Sequence, residues 1–121
     1  MRVFALRGAI SVDRNDAADI HEATTTLMRE IMERNALAPD DVVSCIFTAT
    51  DDLDADFPAA AARSLGFDGV PLLCAREMCV PDSMPRVIRV LIHYYAEAEH
   101  RAKHVYLGEA SALRSDLQAA Q

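Results

Sequence analysis

The sequence has few cysteines and no long apolar run. Its three cysteines, Cys45, Cys74 and Cys79, are an odd number without C-x-x-C spacing, so they indicate neither a disulfide framework nor a structural zinc site. No stretch approaches the roughly 18 apolar residues of a membrane span, and the first residues lack the apolar segment of a signal peptide. We therefore expect a cytoplasmic protein with reduced thiols, without a metal and without a membrane partner.

Basic residues are scarce and scattered. Lys and Arg number 12 against 19 Asp and Glu, which gives a net charge of -7, and the basic residues form no run. This distribution argues against nucleic acid as a partner. An anionic ligand would have to be held by a local group of arginines against the overall field, which physiological salt screens over roughly 8 Å.

Signatures of the common hydrolases, nucleotide-binding enzymes and metalloproteases are missing. The chain contains no G-x-S-x-G, no G-x-G-x-x-G, no Walker loop and no H-E-x-x-H. His21 falls in a predicted helix, His93 in a predicted strand and His100 in a charged connection, and none stands beside a nucleophile in the sequence. The pattern therefore gives little support to acid-base or nucleophilic catalysis.

The most informative residue that is present is Arg89, which lies among aliphatic residues in 87–92. A guanidinium keeps its charge at ordinary pH, and burying it without a partner is costly, so it has to meet an anion. Its face of the strand reads Val87, Arg89, Leu91, His93 and offers no carboxylate. The anion must come from another segment, another subunit or a ligand, and we favour a ligand. The alternative is an edge-strand arginine that reaches solvent along its aliphatic stem.

Hydrophobic periodicity predicts one α+β domain over residues 1–121, with a mixed sheet and one long and one short helix packed on it. The long helix spans 16–35, with Asp16 among the candidate caps and Asn35 as a left-handed stop. The short helix has Pro58 at its first position and Gly66 just past its end. The tail after Glu109 has weak helical character and is expected to fray over about 115–121. The predicted strands are 2–7, ending at Gly8, then 42–48, 70–74, 86–95 and 104–107.

Several arginines lie at element ends or strand centres. Their planar forks match carboxylates, so two or three converging on one pocket would suit a small di-acid. The residues concerned are Arg7, Arg63, Arg89 and Arg114.

Short segments spread in order over nearly the whole chain resemble the monofunctional chorismate mutases of the Bacillus type. The chain departs from that pattern at Ala60, where the family member has a lysine, and at Leu73, where it has a threonine. The matching segments are Arg7-Gly8-Ala9, Ala49-Thr50, Asp52-Leu53, Phe57-Pro58-Ala59 ahead of Arg63, Val70-Pro71 with Cys74 and Glu77-Met78, Ile88-Arg89-Val90, His104-Val105-Tyr106-Leu107, Leu113-Arg114 and Asp116-Leu117.

The resemblance implies a homotrimer, a pseudo-α/β-barrel with an active site at each subunit interface. There chorismate would become prephenate by a [3,3] Claisen rearrangement without a cofactor, a step of phenylalanine and tyrosine biosynthesis. Because a pericyclic rearrangement transfers no proton, this activity agrees with the missing acid-base motifs. Catalysis would then come from holding a compact conformer and from a cation placed where negative charge develops.

The resemblance also implies roles for individual residues. Arg89 would face the ether oxygen of the breaking bond, Arg7 would hold a substrate carboxylate, and Glu77 would lie near the ring hydroxyl. These three are the expected catalytic residues. The remaining expected substrate contacts are Cys74 near the ring hydroxyl, Tyr106 as a hydroxyl donor, Phe57, Ala59 and Arg63 from the neighbouring subunit, Leu73, Ala75 and Arg76 from one strand segment, and Arg114 closing the site.

Simpler interpretations stay open for several of these residues. Glu77 could be a surface carboxylate, Cys74 a small buried hydrophobe, Tyr106 an ordinary strand aromatic, and Arg63 a cap on the carbonyls that end the short helix. For the whole protein, the alternatives are a non-catalytic trimeric protein that binds or senses an anionic metabolite, and a trimeric imine deaminase.

Overall fold

In the computed structural model, which describes residues 1–113, five strands form one mixed sheet. The strands are β1 (Arg2–Ser11), β2 (Val42–Ala49), β3 (Leu72–Arg76), β4 (Val87–Ala96) and β5 (Val105–Leu107). Their order in the sheet is β3-β2-β4-β1-β5. The central strand β4 runs antiparallel to β1 and β2, whereas β5 is parallel to β1 and β3 is parallel to β2. The predicted mixed sheet is confirmed.

Two α-helices, α1 (Ala17–Arg34) and α2 (Ala59–Ser64), accompany the sheet. Asp16 caps α1, because its side chain accepts a hydrogen bond from the backbone N–H of Asp19 at 2.7 Å. The apolar positions that recur at helical spacing in the sequence form the buried face of α1. The residues buried on α1 are Ile20, Thr24, Leu27, Met28 and Ile31.

The core lies between the helices and one face of the sheet. On β4 the alternate residues Ile88, Val90, Ile92 and Tyr94 are buried in it, whereas the residues between them are less buried from Arg89 onward. Arg89 therefore belongs to the sheet face opposite the two α-helices. Within residues 1–113 no α-helix packs on this face, and Ala110, in a 3-10 turn, packs against Ala9 and Val87 at one end of it.

Strand β1 is longer than predicted, because it continues through Gly8 to Ser11. A Cβ at Gly8 would lie 2.7 Å from Cδ1 of Ile31 and 3.2 Å from side-chain atoms of Leu27 and Val90. Gly8 is therefore a position of close helix-to-sheet approach, and the prediction that it ends the strand is wrong.

The end of α1 also differs from the prediction. Asn35 has φ -106° and is not left-handed; the following Ala36 has φ 50°. The amide of Asn35 instead donates to the carbonyl oxygens of Ile31 and Lys103, at 2.9 and 3.0 Å, which ties the end of α1 to the segment before β5.

At the short helix, Pro58 precedes the first helical residue as the cap, and Gly66 follows with φ 98° as expected for a glycine past a helix end. Strand β3 begins at Leu72 and not at Val70, which is already the residue that ends a 3-10 turn. The tail folds into a 3-10 turn over Gly108–Ala112. The fraying expected for about 115–121 lies outside the described residues.

Candidate active site

Strand register brings five residues into one row across the whole sheet. Thr48 pairs with Arg89, Arg89 with Ala9, and Ala9 with Tyr106, while Ala75 pairs with Thr48 at the other end. Because paired residues point to the same face, all five side chains belong to the face opposite the helices. The sequence places these residues far apart, and only the sheet brings them together.

The neighbouring row on the same face contains Leu73, Ile46, Leu91 and Arg7. An open cavity of about 240 Å³ lies along these rows. Among its lining residues in 1–113, two are arginines, one is a tyrosine and none is a carboxylate. They are Arg7, Gly8, Ile46, Thr48, Arg89, Val90, Leu91 and Tyr106. This cavity is a cationic patch in a chain whose net charge is -7.

The counter-anion of Arg89 comes from another segment of the same chain. Nε of Arg89 donates to Oε1 and Oε2 of Glu77 at 3.2 and 3.1 Å. The Arg89 side chain is 39% exposed and that of Glu77 only 15%. Of the three sources that the sequence leaves open, the structure supplies another segment, so the expectation that a ligand provides this anion is wrong.

Glu77 is held from two further directions. Its backbone N–H donates to the carbonyl oxygen of Ala49 at 3.0 Å, and Oγ1 of Thr48 donates to its Oε2 at 2.7 Å. One interpretation of the sequence makes Glu77 a free surface carboxylate, and these bonds show that it is not free. It lies beside the arginine that the resemblance assigns to the reacting bond.

Arg7 is next to a neutral histidine. The backbone N–H of Arg7 donates to Nδ1 of His104 at 3.0 Å, and this bond requires an unprotonated Nδ1. Burial, and then the positive charge of Arg7, lower the pKa of His104 from its ordinary value. The proton of the neutral imidazole is consequently on Nε2.

A second group of expected site residues surrounds a different cavity of about 380 Å³ at the β3 edge of the sheet. Phe57 is 69% exposed there, Cys74 packs against the helix-side core, and Ala75 and Arg76 complete this side. This cavity shares no lining residue with the one at Arg7 and Arg89. In one chain Phe57 and Arg89 thus line different cavities, while Ala75 pairs with Thr48 in the row that contains Arg89.

The loop that carries Phe57 is pinned to the start of α1. Oδ1 of Asn15 accepts hydrogen bonds from the backbone N–H groups of Asp54 and Ala55, at 3.0 and 3.1 Å, and its amide donates to Asp54 at 2.8 Å. These bonds hold the backbone just before Phe57, whose large apolar side chain is left exposed.

The other expected contacts have different surroundings. Leu73 is 61% exposed on the edge strand, and Arg63 is exposed on the last turn of α2. Ala59 is only 3% exposed and packs in the core. Arg114 lies outside the described residues.

Sequence reasoning did not single out Thr48 as a site residue and named His104 only as part of a segment that matches the family. Thr48 ends a β-branched strand, and His104 opens the predicted last strand, so the local pattern of each is ordinary. Their signal is the strand register, which aligns Thr48 with Arg89 and brings His104 next to Arg7.

None of the helices within residues 1–113 is long and apolar enough to cross a membrane. Within the same residues, no group of three or more His, Cys, Asp or Glu side chains is arranged to hold a metal ion.

Known proteins are similar to this chain along nearly its full length. A Thermus thermophilus protein named chorismate mutase AroH is 46% identical over 121 residues, covering 98% of this chain and 99% of its own length. The chorismate mutase AroH of Bacillus subtilis (strain 168) is 38% identical over 119 residues, with 97% and 94% covered. The solved chorismate mutase from Clostridium thermocellum superposes with a TM-score of 0.86 at 44% identity, over 90% of this chain and 98% of that one. Residues 3–117 match the family model described as chorismate mutase type I, and this chain belongs to that family.

Proposed function

We propose that this chain converts chorismate to prephenate by a [3,3] rearrangement, in the biosynthesis of aromatic amino acids. Family membership and the names of the two curated relatives support this activity. The observation that carries the assignment to a site is the ion pair between Arg89 and Glu77, on the same sheet face as Arg7 and Tyr106. We propose that this face binds the substrate and that no cofactor takes part.

Arg89 would act at the reacting bond. Its Nε is engaged by Glu77, so the orientation of the guanidinium plane is constrained before substrate arrives. In the rearrangement, negative charge grows on the ether oxygen as its bond to the ring carbon breaks. A cation fixed in advance at that position stabilises the transition state more than the ground state, which lowers the barrier.

The other groups on this face would hold the dianionic substrate in its reactive conformer. Arg7 would pair with a carboxylate, and the hydroxyl of Tyr106 would donate a hydrogen bond to one. Glu77 would accept a hydrogen bond from the ring hydroxyl. None of these roles requires a side chain to gain or lose a proton, as expected for a pericyclic reaction.

We also propose that the active unit is a homotrimer with sites between subunits. Phe57 and Arg89 line different cavities of one chain, and in the proposed trimer Phe57 of one copy would lie beside the Arg89 cavity of the next. Several large apolar side chains are exposed on a single chain, among them Phe57, Leu73 and Met78. Such exposure supports a surface that another subunit covers. A location in the cytoplasm, expected from the sequence, completes this proposal.

The direct test incubates the purified protein with chorismate and follows the loss of its ultraviolet absorbance and the appearance of prephenate. We expect turnover by the wild-type chain and none above background in a parallel sample without protein. Binding of chorismate without formation of prephenate would contradict the proposed activity and favour the non-catalytic metabolite-binding alternative.

A further inference from the structure

We infer that Thr48 is a positioning residue of this site: its hydroxyl orients the carboxylate of Glu77, and through it the guanidinium of Arg89. The inference rests on the proposed function, because its effect is measured on turnover of chorismate. Thr48 makes no assigned contact with the substrate in this scheme.

The contact itself is short and well placed. Oγ1 of Thr48 donates to Oε2 of Glu77 at 2.7 Å, the ordinary length of a hydroxyl hydrogen bond to an oxygen. The same Oε2 accepts a second hydrogen bond from Nε of Arg89 at 3.1 Å. Thr48 and Arg89 are also direct partners in the register of β2 and β4, so the two donors approach Glu77 from adjacent strands.

Glu77 needs this second donor because its own backbone is only partly constrained. Strand β3 ends at Arg76, and Glu77 is the first residue of the connection to β4. One backbone hydrogen bond to Ala49 fixes its main chain, but a glutamate side chain has several rotatable bonds that are costly to order. Thr48 lies on β2, which is bonded to strands on both sides, so its hydroxyl is a rigid reference point.

The arrangement also determines which oxygen of Glu77 is left for a ligand. Among the residues of 1–113, Oε2 accepts from two donors, Thr48 and Arg89, whereas Oε1 accepts from Arg89 alone. A carboxylate oxygen has lone pairs for two hydrogen bonds, so Oε1 keeps one free. A ring hydroxyl of the substrate would therefore meet Oε1, in an orientation determined by Thr48.

The test compares Thr48→Val, which removes the hydroxyl while keeping the branched shape, with Thr48→Ser, which keeps it. We expect Thr48→Val to lower kcat/KM roughly 10- to 100-fold, the range that loss of one hydrogen bond to a charged group allows. Thr48→Ser should retain most of the wild-type value. The matched control is Ser44→Ala, which removes a hydroxyl from the same strand beside His93, and it should leave kcat/KM unchanged.

A double-mutant cycle separates positioning from a merely structural role. If Thr48 acts through Glu77, adding Thr48→Val to a Glu77→Gln variant should cost much less than it costs the wild type. Circular dichroism checks that each variant is folded, and Thr48→Ala replaces Thr48→Val in the cycle if the valine variant does not fold.

The outcomes distinguish the two proposals. A wild-type protein that does not turn over chorismate would overturn the proposed function, and this inference with it. An active wild type in which Thr48→Val keeps its kcat/KM, or in which the two substitutions have independent effects, would overturn the role of Thr48 and leave the proposed function intact.

Discussion

Arg89 is bound to Glu77 through its inner nitrogen. Nε lies 3.2 Å from Oε1 and 3.1 Å from Oε2, and within residues 1–113 every hydrogen bond that this guanidinium donates comes from Nε. The carboxylate thus fixes the plane of the guanidinium without occupying its terminal fork. An arginine held in this way can present that fork to a second, external anion or to a developing negative charge.

Substitution of Arg89 by alanine should remove the cation that is proposed to face the ether oxygen. We expect kcat to fall by at least ~10² to 10³, or roughly 3 to 4 kcal/mol, as when an oxyanion donor is lost. Arg89→Lys should recover only part of this, because a point charge does not reproduce the fork. Steady-state kinetics with chorismate measures both; near-wild-type turnover by a folded Arg89→Ala variant would contradict the mechanism.

Substitution of Arg7 should have a different kinetic signature. Its proposed carboxylate contact exists in the ground state as well as in the transition state, so Arg7→Ala should raise KM at least as much as it lowers kcat. Arg29→Ala, at an exposed position on α1, is the matched control for loss of one positive charge. A fall in kcat with KM unchanged would place Arg7 in the reacting step instead.

The mass of the protein in solution tests the proposal that each active site is shared between subunits. Three chains of 13.3 kDa would scatter light as a particle of about 40 kDa. We expect this mass at the concentrations used for assays, because neither cavity of a single chain contains both Phe57 and Arg89. A stable monomer that turns over chorismate at the same dilution would contradict the proposal.

Turnover should vary little between about pH 6 and 8, since the reaction transfers no proton and arginine does not titrate there. A bell-shaped profile in this range, together with a solvent isotope effect, would indicate acid-base chemistry instead.

Stability, unlike turnover, should depend on pH from the acid end of this range downward through His104, whose pKa is lowered from 6.5 by burial and by Arg7. The direction of this pH dependence follows from the protons that the folded and unfolded chains bind. The unfolded chain protonates this histidine near pH 6.5, whereas the folded chain resists protonation until a lower pH. The contribution of His104 to the free energy of unfolding should therefore decrease as the pH falls below about 6.5, and this contribution levels off once folded His104 is protonated. Urea unfolding at a series of pH values measures this. His104→Asn, which can still accept from the Arg7 amide but does not titrate, should have a weaker dependence than the wild type.

Gly8→Ala should destabilise the fold. The added methyl group would lie 2.7 Å from Cδ1 of Ile31 and 3.2 Å from side-chain atoms of Leu27 and Val90, which are all buried, and overpacking of this kind costs about 1 to 3 kcal/mol. Gly69→Ala is the control, because a Cβ there meets nothing within 4 Å. Equal unfolding free energies for the two variants would mean that α1 moves away from β1 without cost.

Local sequence patterns determined the elements and the faces of this protein. The 3.6-residue spacing of Ile20, Leu27 and Ile31 predicted α1, and the alternation along β4 predicted that Arg89 shares a face with Leu91. Such patterns are reliable because a buried stripe or face depends on neighbours three, four or two positions away. The ordered resemblance to the family was likewise readable from the sequence.

Only the tertiary structure determined which side chains lie next to Arg89. Strand register between distant segments aligns Thr48 with Arg89, and the connection after β3 brings Glu77 to the same place. A shift of one residue would send either side chain to the other face, and no local pattern reports that register. Gly8 was misread for the same reason, because the atom that requires a glycine there belongs to Ile31, on a helix that reaches the strand only in the folded protein.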